Sequence, residues 1–404
     1  MIKPLSILIL SIIGAFSCTA QSPKYSYNPQ KNESRPSLEV KVGAEQYSQY
    51  LPLLKNKNIA LLVNQTSVVN EQLLPDFLLE KGVQVKTIFS PEHGFRGTAD
   101  AGAHVANGKD SRTGLPVISL YGNNKKPTAE QLKNIDVVVY DLQDVGVRFY
   151  TYISSLQYVM EACAENNKEL IILDRPNPLG NYVDGPVLDK QNKSFVGMQA
   201  IPIIYGMTPG EYAQMLLGEK WITNTNLKLT VIPCENYTHQ TLYRLPISPS
   251  PNLKNMVAIY LYPSLCLFEG TVISLGRGTD KPFQQFGHPD LKAYSYSFTP
   301  KSIAGATNPP LKDKKCYGAL IASDANTAYR IVDNQLQLKW LIAAYKAFPD
   351  KDKFFNTFFI KLAGTADLKA QIIAGKSEAE IRKSWEPELS EFKKVRKKYL
   401  IYEE

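Results

Sequence analysis

The chain has 404 residues, of which 44% are hydrophobic and 21% charged, with 24 Gly and 26 Pro. This is globular composition with enough apolar mass for a large core, and it excludes collagen-like, low-complexity and wholly disordered classes. The formal charge of +8 comes from 46 Lys and Arg against 38 Asp and Glu. Much of the excess sits in one run, Lys393, Lys394, Arg396, Lys397 and Lys398, which is expected to be a solvated helix face, so no nucleic-acid partner is expected.

The first predicted element is an export signal: Lys3 precedes an apolar run from Leu5 to Phe16, followed by Ser17-Cys18-Thr19-Ala20-Gln21. The run is shorter than the roughly 20 residues of a membrane span. Two processing routes stand open, cleavage after Ala20 or lipidation of Cys18 within the imperfect lipobox Ala15-Phe16-Ser17-Cys18. The protein is therefore expected to be exported, either periplasmic or anchored to the outer membrane, with a lipid on Cys18 as its sole membrane contact. Residues 1–20 are assigned to the signal peptide, and 21–40, rich in Ser, Asn, Pro, Lys and Gln, to a flexible tether. Cys163, Cys234, Cys266 and Cys316 form no CxxC and have no His at ligand spacing. Free buried thiols are expected there, and no structural zinc.

Past Leu38, apolar runs alternate with helical stretches. The runs are 59–63, 83–89, 117–120, 137–140 and 170–173; the helical stretches are 73–81, 128–134 and 153–165. Continuous apolar strands separated by helices predict an α/β fold with a doubly wound parallel sheet over 41–250. The region 251–404 is mixed, and 335–402 reads as several amphipathic helices. Trp340, Leu341, Tyr345, Ile381, Trp385, Phe392 and Tyr399 are spaced there as core residues.

In such sheets ligands bind beyond the carboxyl ends of the strands. Three post-strand loops carry acids and arginines: Ser90-Pro91-Glu92-His93-Gly94-Phe95-Arg96-Gly97, Asp141-Leu142-Gln143-Asp144-Val145-Gly146-Val147-Arg148-Phe149-Tyr150 and Asp174-Arg175-Pro176-Asn177-Pro178. After the first strand stands Asn64-Gln65-Thr66-Ser67 instead of a Gly-rich dinucleotide loop, and Walker, Gly-x-Ser-x-Gly and His-Glu-x-x-His patterns are also missing.

Together with Gly185-Pro186, Gly206-Met207-Thr208-Pro209-Gly210-Glu211, Ser248-Pro249-Ser250-Pro251-Asn252, Glu269-Gly270-Thr271 and Gly276-Arg277-Gly278-Thr279-Asp280-Lys281-Pro282-Phe283, these loops resemble the exo-beta-N-acetylmuramidase family from about residue 40 onward. The resemblance implies a glycosidase that removes N-acetylmuramic acid from the non-reducing end of peptidoglycan fragments, for cell-wall turnover or recycling. It implies a Rossmann-like domain without nucleotide and a smaller α+β C-terminal domain closing a cleft, with neither metal nor other cofactor. Tyr205, where His is common in the family, and Leu275, where an acid is common, depart from its pattern.

Glycoside hydrolysis needs an acid for the leaving oxygen and usually a second carboxylate. Glu92 is the expected general acid, its carboxyl held protonated by contact with Phe95 and tuned by His93; the structural alternative is a loop clasp to Arg96. Asp144 and Glu269 are the leading second carboxylates, Asp141 and Asp174 also being available, and the substrate's 2-acetamido group could replace them all. The lactyl carboxylate of muramic acid calls for a guanidinium, from Arg148, Arg175 or Arg277. Arg175 could instead pair with Asp174. Tyr150, Tyr152 and Phe283 could stack on sugar faces, and Asn177 completes the binding set. The oligomeric state is left open. Two other readings stand beside this one, a catalytically silent peptidoglycan-fragment binding protein and a metal-dependent hydrolase using His93, His104 and Asp141.

Overall fold

The computed structural model describes residues 39–97, 99–103 and 107–404. The export signal with Cys18, all but the end of the tether, and His104 lie outside them. Residues Val40–Glu404 pack as one compact unit.

The centre is a seven-stranded sheet. Its first half comprises β1 (Asn58–Val63), β4 (Gln84–Ser90), β5 (Gly108–Lys109) and β6 (Pro116–Ser119), with a small hairpin of β2 (Val68–Val69) and β3 (Gln72–Leu73) beside it. The second half comprises β7 (Val137–Asp141), β8 (Glu169–Leu173) and β11 (Leu229–Ile232); β9 (Asp184–Val187) and β10 (Pro202–Ile204) form a separate antiparallel pair. The order is β11-β8-β7-β1-β4-β6-β5, parallel throughout except at β5. The chain winds from β1 out to β6, then returns to the far side of β1 with β7. That reversal is the switch point of the doubly wound fold, where a crevice opens at the strands' carboxyl ends.

The strand side chains alternate between two core layers. Ile59, Leu61, Val63, Val137 and Val139 face the layer shared with helices α1 (Tyr47–Leu54) and α2 (Leu74–Glu80). Ala60, Leu62, Val138 and Tyr140 face a larger layer shared with α3 (Ala129–Leu132), α4 (Tyr152–Glu165) and α5 (Pro209–Gly218), which continues into the C-terminal half. Burial on both faces accounts for the unbroken apolar runs in the sequence.

Side chains fill the crevice after β1. The Asn64 amide donates to the Tyr152 hydroxyl at 2.8 Å, and the Gln65 amide donates to the Ser248 and Pro249 carbonyls at 3.0 and 3.1 Å. Gly97 closes against Gln65; its φ is +67°, and a Cβ there would lie 2.1 Å from the Gln65 side chain.

The C-terminal half opens with α6 (Met256–Leu265), buried on every side, and a sheet of β12 (Gln285–His288), β14 (Cys316–Leu320) and β13 (Tyr296–Phe298), in that order. Helices α7 (Ala325–Val332), α8 (Lys339–Ala347), α9 (Lys351–Phe354), α10 (Phe359–Ala363) and α11 (Asp367–Ile373) lead to α12 (Glu378–Arg396), which is started by a Ser377–Glu380 capping box. Trp385 lies in the core. Arg396 does not belong to the solvated basic face expected of its run: it is 5% exposed and its Nε donates to the Gly206 carbonyl at 2.8 Å. The four cysteines are free and buried.

Candidate active site

A cavity of about 600 Å³ lies beyond the carboxyl ends of β4 and β6, and both halves of the chain line it. Ser90 and Ser119 are register partners at the ends of these strands. Two residues past them stand Glu92 and Tyr121, and both reach the cavity. They lie close enough to interact: burial together with the Glu92 charge raises the Tyr121 pKa. Glu92 Oε1 accepts the Gly102 N–H at 3.0 Å, and Oε2 accepts the Thr151 hydroxyl at 2.9 Å.

The loop behind Glu92 is tightly wound. His93 has φ of +72°, in the left-handed region that costs a non-glycine residue about 1–3 kcal/mol. Its carbonyl accepts the Ala99 N–H at 3.2 Å, and its Nδ1 lies 2.8 Å from the Ala99 carbonyl. A carbonyl can only accept, so Nδ1 carries the proton. Burial lowers the imidazole pKa, which leaves a neutral ring whose Nε2 is an acceptor.

From the C-terminal half come Glu269, Arg277 and Phe283. Glu269 sits on a 3-10 turn, Cys266–Gly270, pinned by Asn356, whose amide donates to the Glu269 and Thr271 carbonyls at 3.1 and 3.2 Å. Gly270 permits the turn: a Cβ there would lie 2.4 Å from the Phe359 backbone. Glu269 Oε1 takes both Nε and Nη2 of Arg277 at 2.7 Å. Oε2 has the Cys266 thiol at 3.7 Å. The Arg277 guanidinium lies 4.8 Å from the Phe283 ring centre; burial opposes its charge, and Glu269 more than restores it. A bridge joins the rims, Asp100 Oδ2 accepting the Thr307 N–H at 2.7 Å and its hydroxyl at 2.5 Å.

Several residues expected at the site are instead fixed inside the fold. Asp144 is buried away from the cavity, its Oδ2 accepting the Tyr205 hydroxyl and the Gly146 N–H. Burial outweighs those bonds and pushes its carboxyl up to about 7. Asp141 is paired by both oxygens with Arg175, so the expected Asp174–Arg175 pair is replaced by one across two strand ends. Asp174 instead accepts the Thr208 and Tyr402 hydroxyls, both at 2.7 Å, and the Gly210 N–H at 2.8 Å. Asn177 is buried between the Met207 carbonyl and the Leu179 N–H.

Arg148 is fully buried and donates to four backbone carbonyls, so it is not free to meet a substrate carboxylate. Tyr152 donates to the Pro249 carbonyl in the filled crevice. Tyr150 also donates to Pro249 but lines the cavity, and Phe283 offers its face to Arg277. The expected contact of Phe95 with Glu92 is absent from the cavity lining, since Phe95 packs in the α1–α2 layer; Arg96 pairs with Asp110 rather than with Glu92.

Tyr121, Thr151 and Asp100 were not singled out in the sequence. The equivalent position of Tyr121, two past a strand end beside Glu92's strand, is a signal that could have found it.

Family models for exo-beta-N-acetylmuramidase NamZ match the chain, the N-terminal model over residues 59–257 and the C-terminal model over residues 260–402. The chain is 37% identical over 414 residues to the peptidoglycan beta-N-acetylmuramidase NamZ of Bacillus subtilis, covering 97% of each. A crystal structure of a DUF1343 family protein from Bacteroides fragilis at 1.30 Å resembles it with TM-score 0.84 and 50% identity, over 91% of this chain and 99% of that one. A second DUF1343 structure from the same organism, at 1.65 Å, gives 0.72 and 30%, over 91% and 100%.

Proposed function

The chain belongs to the exo-beta-N-acetylmuramidase NamZ family and is a glycoside hydrolase; we propose that it cleaves non-reducing-terminal N-acetylmuramic acid from peptidoglycan fragments with Glu92 as general acid. The observation that carries this assignment is that Glu92 and the Glu269–Arg277 pair line one cavity from different halves of the chain. Oε1 of Glu92 accepts from an N–H, which cannot take a proton back. The transferable proton therefore belongs on Oε2, beside a Thr151 hydroxyl able both to donate and to accept.

Glu269 supplies the second carboxylate. Its Oε1 is held by Arg277, and Oε2 is left to act on water or on the anomeric carbon. Arg277 reads the lactyl carboxylate through Nη1, the nitrogen not bound to Glu269. His93 Nε2 accepts a sugar hydroxyl. Export, with either a lipid on Cys18 or Gln21 as the new N-terminus, rests on Lys3 and the apolar run after it; the intact mass of the protein recovered from cells distinguishes the two.

The test is proton NMR of a disaccharide with muramic acid at its non-reducing end. Wild type should release the free sugar, and Glu92→Gln should lose turnover while still binding the disaccharide. Turnover retained by that variant would remove Glu92 from the mechanism.

A further inference from the structure

An aromatic ridge leads out of the reaction cavity from the side of Glu92. Tyr121, which lines that cavity with Glu92, has the Phe195 ring 6.1 Å away, and Tyr158 stacks on Phe195 at 6.1 Å with 15° between planes. Phe195 is thus a wall shared by two cavities, the second of about 380 Å³.

That second cavity carries cations. Lys125 Nζ stands 5.2 Å over the Phe195 ring, and Lys193 Nζ donates to the Gln199 amide oxygen at 3.2 Å. Among the described residues neither lysine has a carboxylate within ion-pair reach. Neighbouring Lys126, by contrast, is taken up by Glu161 and Glu165. The Ser194 hydroxyl beside them is buried and unpartnered among the described residues.

The direction of the ridge gives it a meaning, on the assumption that Glu92 is the general acid. A group that protonates the leaving oxygen stands on the leaving-group side of the scissile bond. A track that leaves the Glu92 cavity over Phe195 into a second cavity that Arg277 does not line therefore follows the chain beyond the terminal sugar. Flat aromatic faces suit successive pyranose rings, and unpaired ammonium groups suit carboxylates on that chain.

We propose that the Tyr158–Phe195 ridge with Lys125 and Lys193 is a binding site for the leaving strand, selecting acidic peptidoglycan oligosaccharides over the bare disaccharide. The carboxylate it meets belongs either to the lactyl group of the next muramic acid or to the stem peptide attached there.

The test compares wild type with Lys125→Glu/Lys193→Glu and with Tyr158→Ala, on three substrates: the muramic acid-terminated disaccharide, the peptide-free tetrasaccharide, and the same tetrasaccharide with a stem peptide on its inner muramic acid. The variants should match wild type on the disaccharide, while kcat/KM on a tetrasaccharide falls about tenfold or more through KM. A fall already present without peptide assigns the lactyl carboxylate; one seen only with peptide assigns the stem. An unchanged ratio of long to short substrate overturns the proposal. Failure of the wild type on the disaccharide would instead overturn the glycosidase reading on which it rests.

Discussion

Gly364 lies so close to the guanidinium of Arg148 that a Cβ there would sit 2.5 Å from Nη2. Arg148 uses that approach to donate through Nη2 to the Leu362 and Ala363 carbonyls, both at 2.8 Å. Nη1 donates to Pro186 and Ile201 at 2.9 and 2.8 Å. Carbonyl dipoles thus surround the charge, and burial pulls its pKa down to about 9. Arg148→Met should cost roughly 3 kcal/mol or more, since four carbonyls lose their donors together. Urea unfolding measures the loss. Activity on muramic acid and N-acetylglucosamine substrates should fall in parallel, and a stable variant with a selective defect on the muramic substrate would contradict this.

Arg277 is where such selectivity is expected. Arg277→Lys keeps a charge but not the planar fork that Glu269 holds with Nε and Nη2. KM for muramic acid substrates should rise about tenfold or more, the cost of a charged hydrogen bond left without its partner. Weak activity on the N-acetylglucosaminide should fall less, through kcat alone, because Glu269 loses its fork whichever substrate is bound. Steady-state kinetics on the two substrates check this, and a parallel loss on both would mean that Arg277 serves the chemistry rather than recognition.

The Asp100–Thr307 bridge ties the Glu92 loop to the rim formed by the C-terminal half. Asp100→Ala should raise KM about three- to tenfold with a smaller change in kcat. Because the bridge lies near the surface, stability should change by less than about 1 kcal/mol. Kinetics paired with thermal unfolding separate this outcome from simple loss of fold.

Asp144 makes stability depend on pH in an unusual direction. Its carboxyl, ordinarily near 3.8, titrates near 7 in the folded chain because burial disfavours the charge. The folded state then holds a proton that the unfolded chain gives up, so this contribution is complete below about pH 4 and is lost as pH rises through about 7. Asp144→Asn removes it. The variant should lose less stability than wild type between pH 4 and 7, by up to about 4 kcal/mol. Urea unfolding at pH 4.5 and 8 tests this, and identical slopes would refute it.

The parallel sheet was legible because both its faces are covered: Val137-Val138-Val139-Tyr140 could hardly be anything but an interior strand. The site was legible in part. Acids and arginines after strands marked the correct edge, yet the residue that closes a strand is still inside the protein. Asp141 ends β7 and pairs with Arg175, whereas Glu92, two residues past β4, reaches the cavity. Which acid turns outward depends on the neighbouring strand ends and not on local sequence. Tyr205 shows the same limit, since its partner is the buried Asp144. Glu269 and Arg277 stood out only through the family resemblance, because the turn that presents Glu269 depends on Asn356 and Phe359, far along the chain.

The plug of Asn64 and Gln65 at the reversal of the sheet bears on inhibitor design. This strand order invites nucleotide mimetics as a first library, yet a diphosphate group there would have to break the Gln65 bonds to Ser248 and Pro249 and displace a loop packed against Gly97. Sugar-shaped cations carrying a lactyl acid, aimed between Glu92 and Arg277, are the chemotype this scaffold favours, and compounds of that kind should leave ordinary dinucleotide enzymes of the same topology untouched.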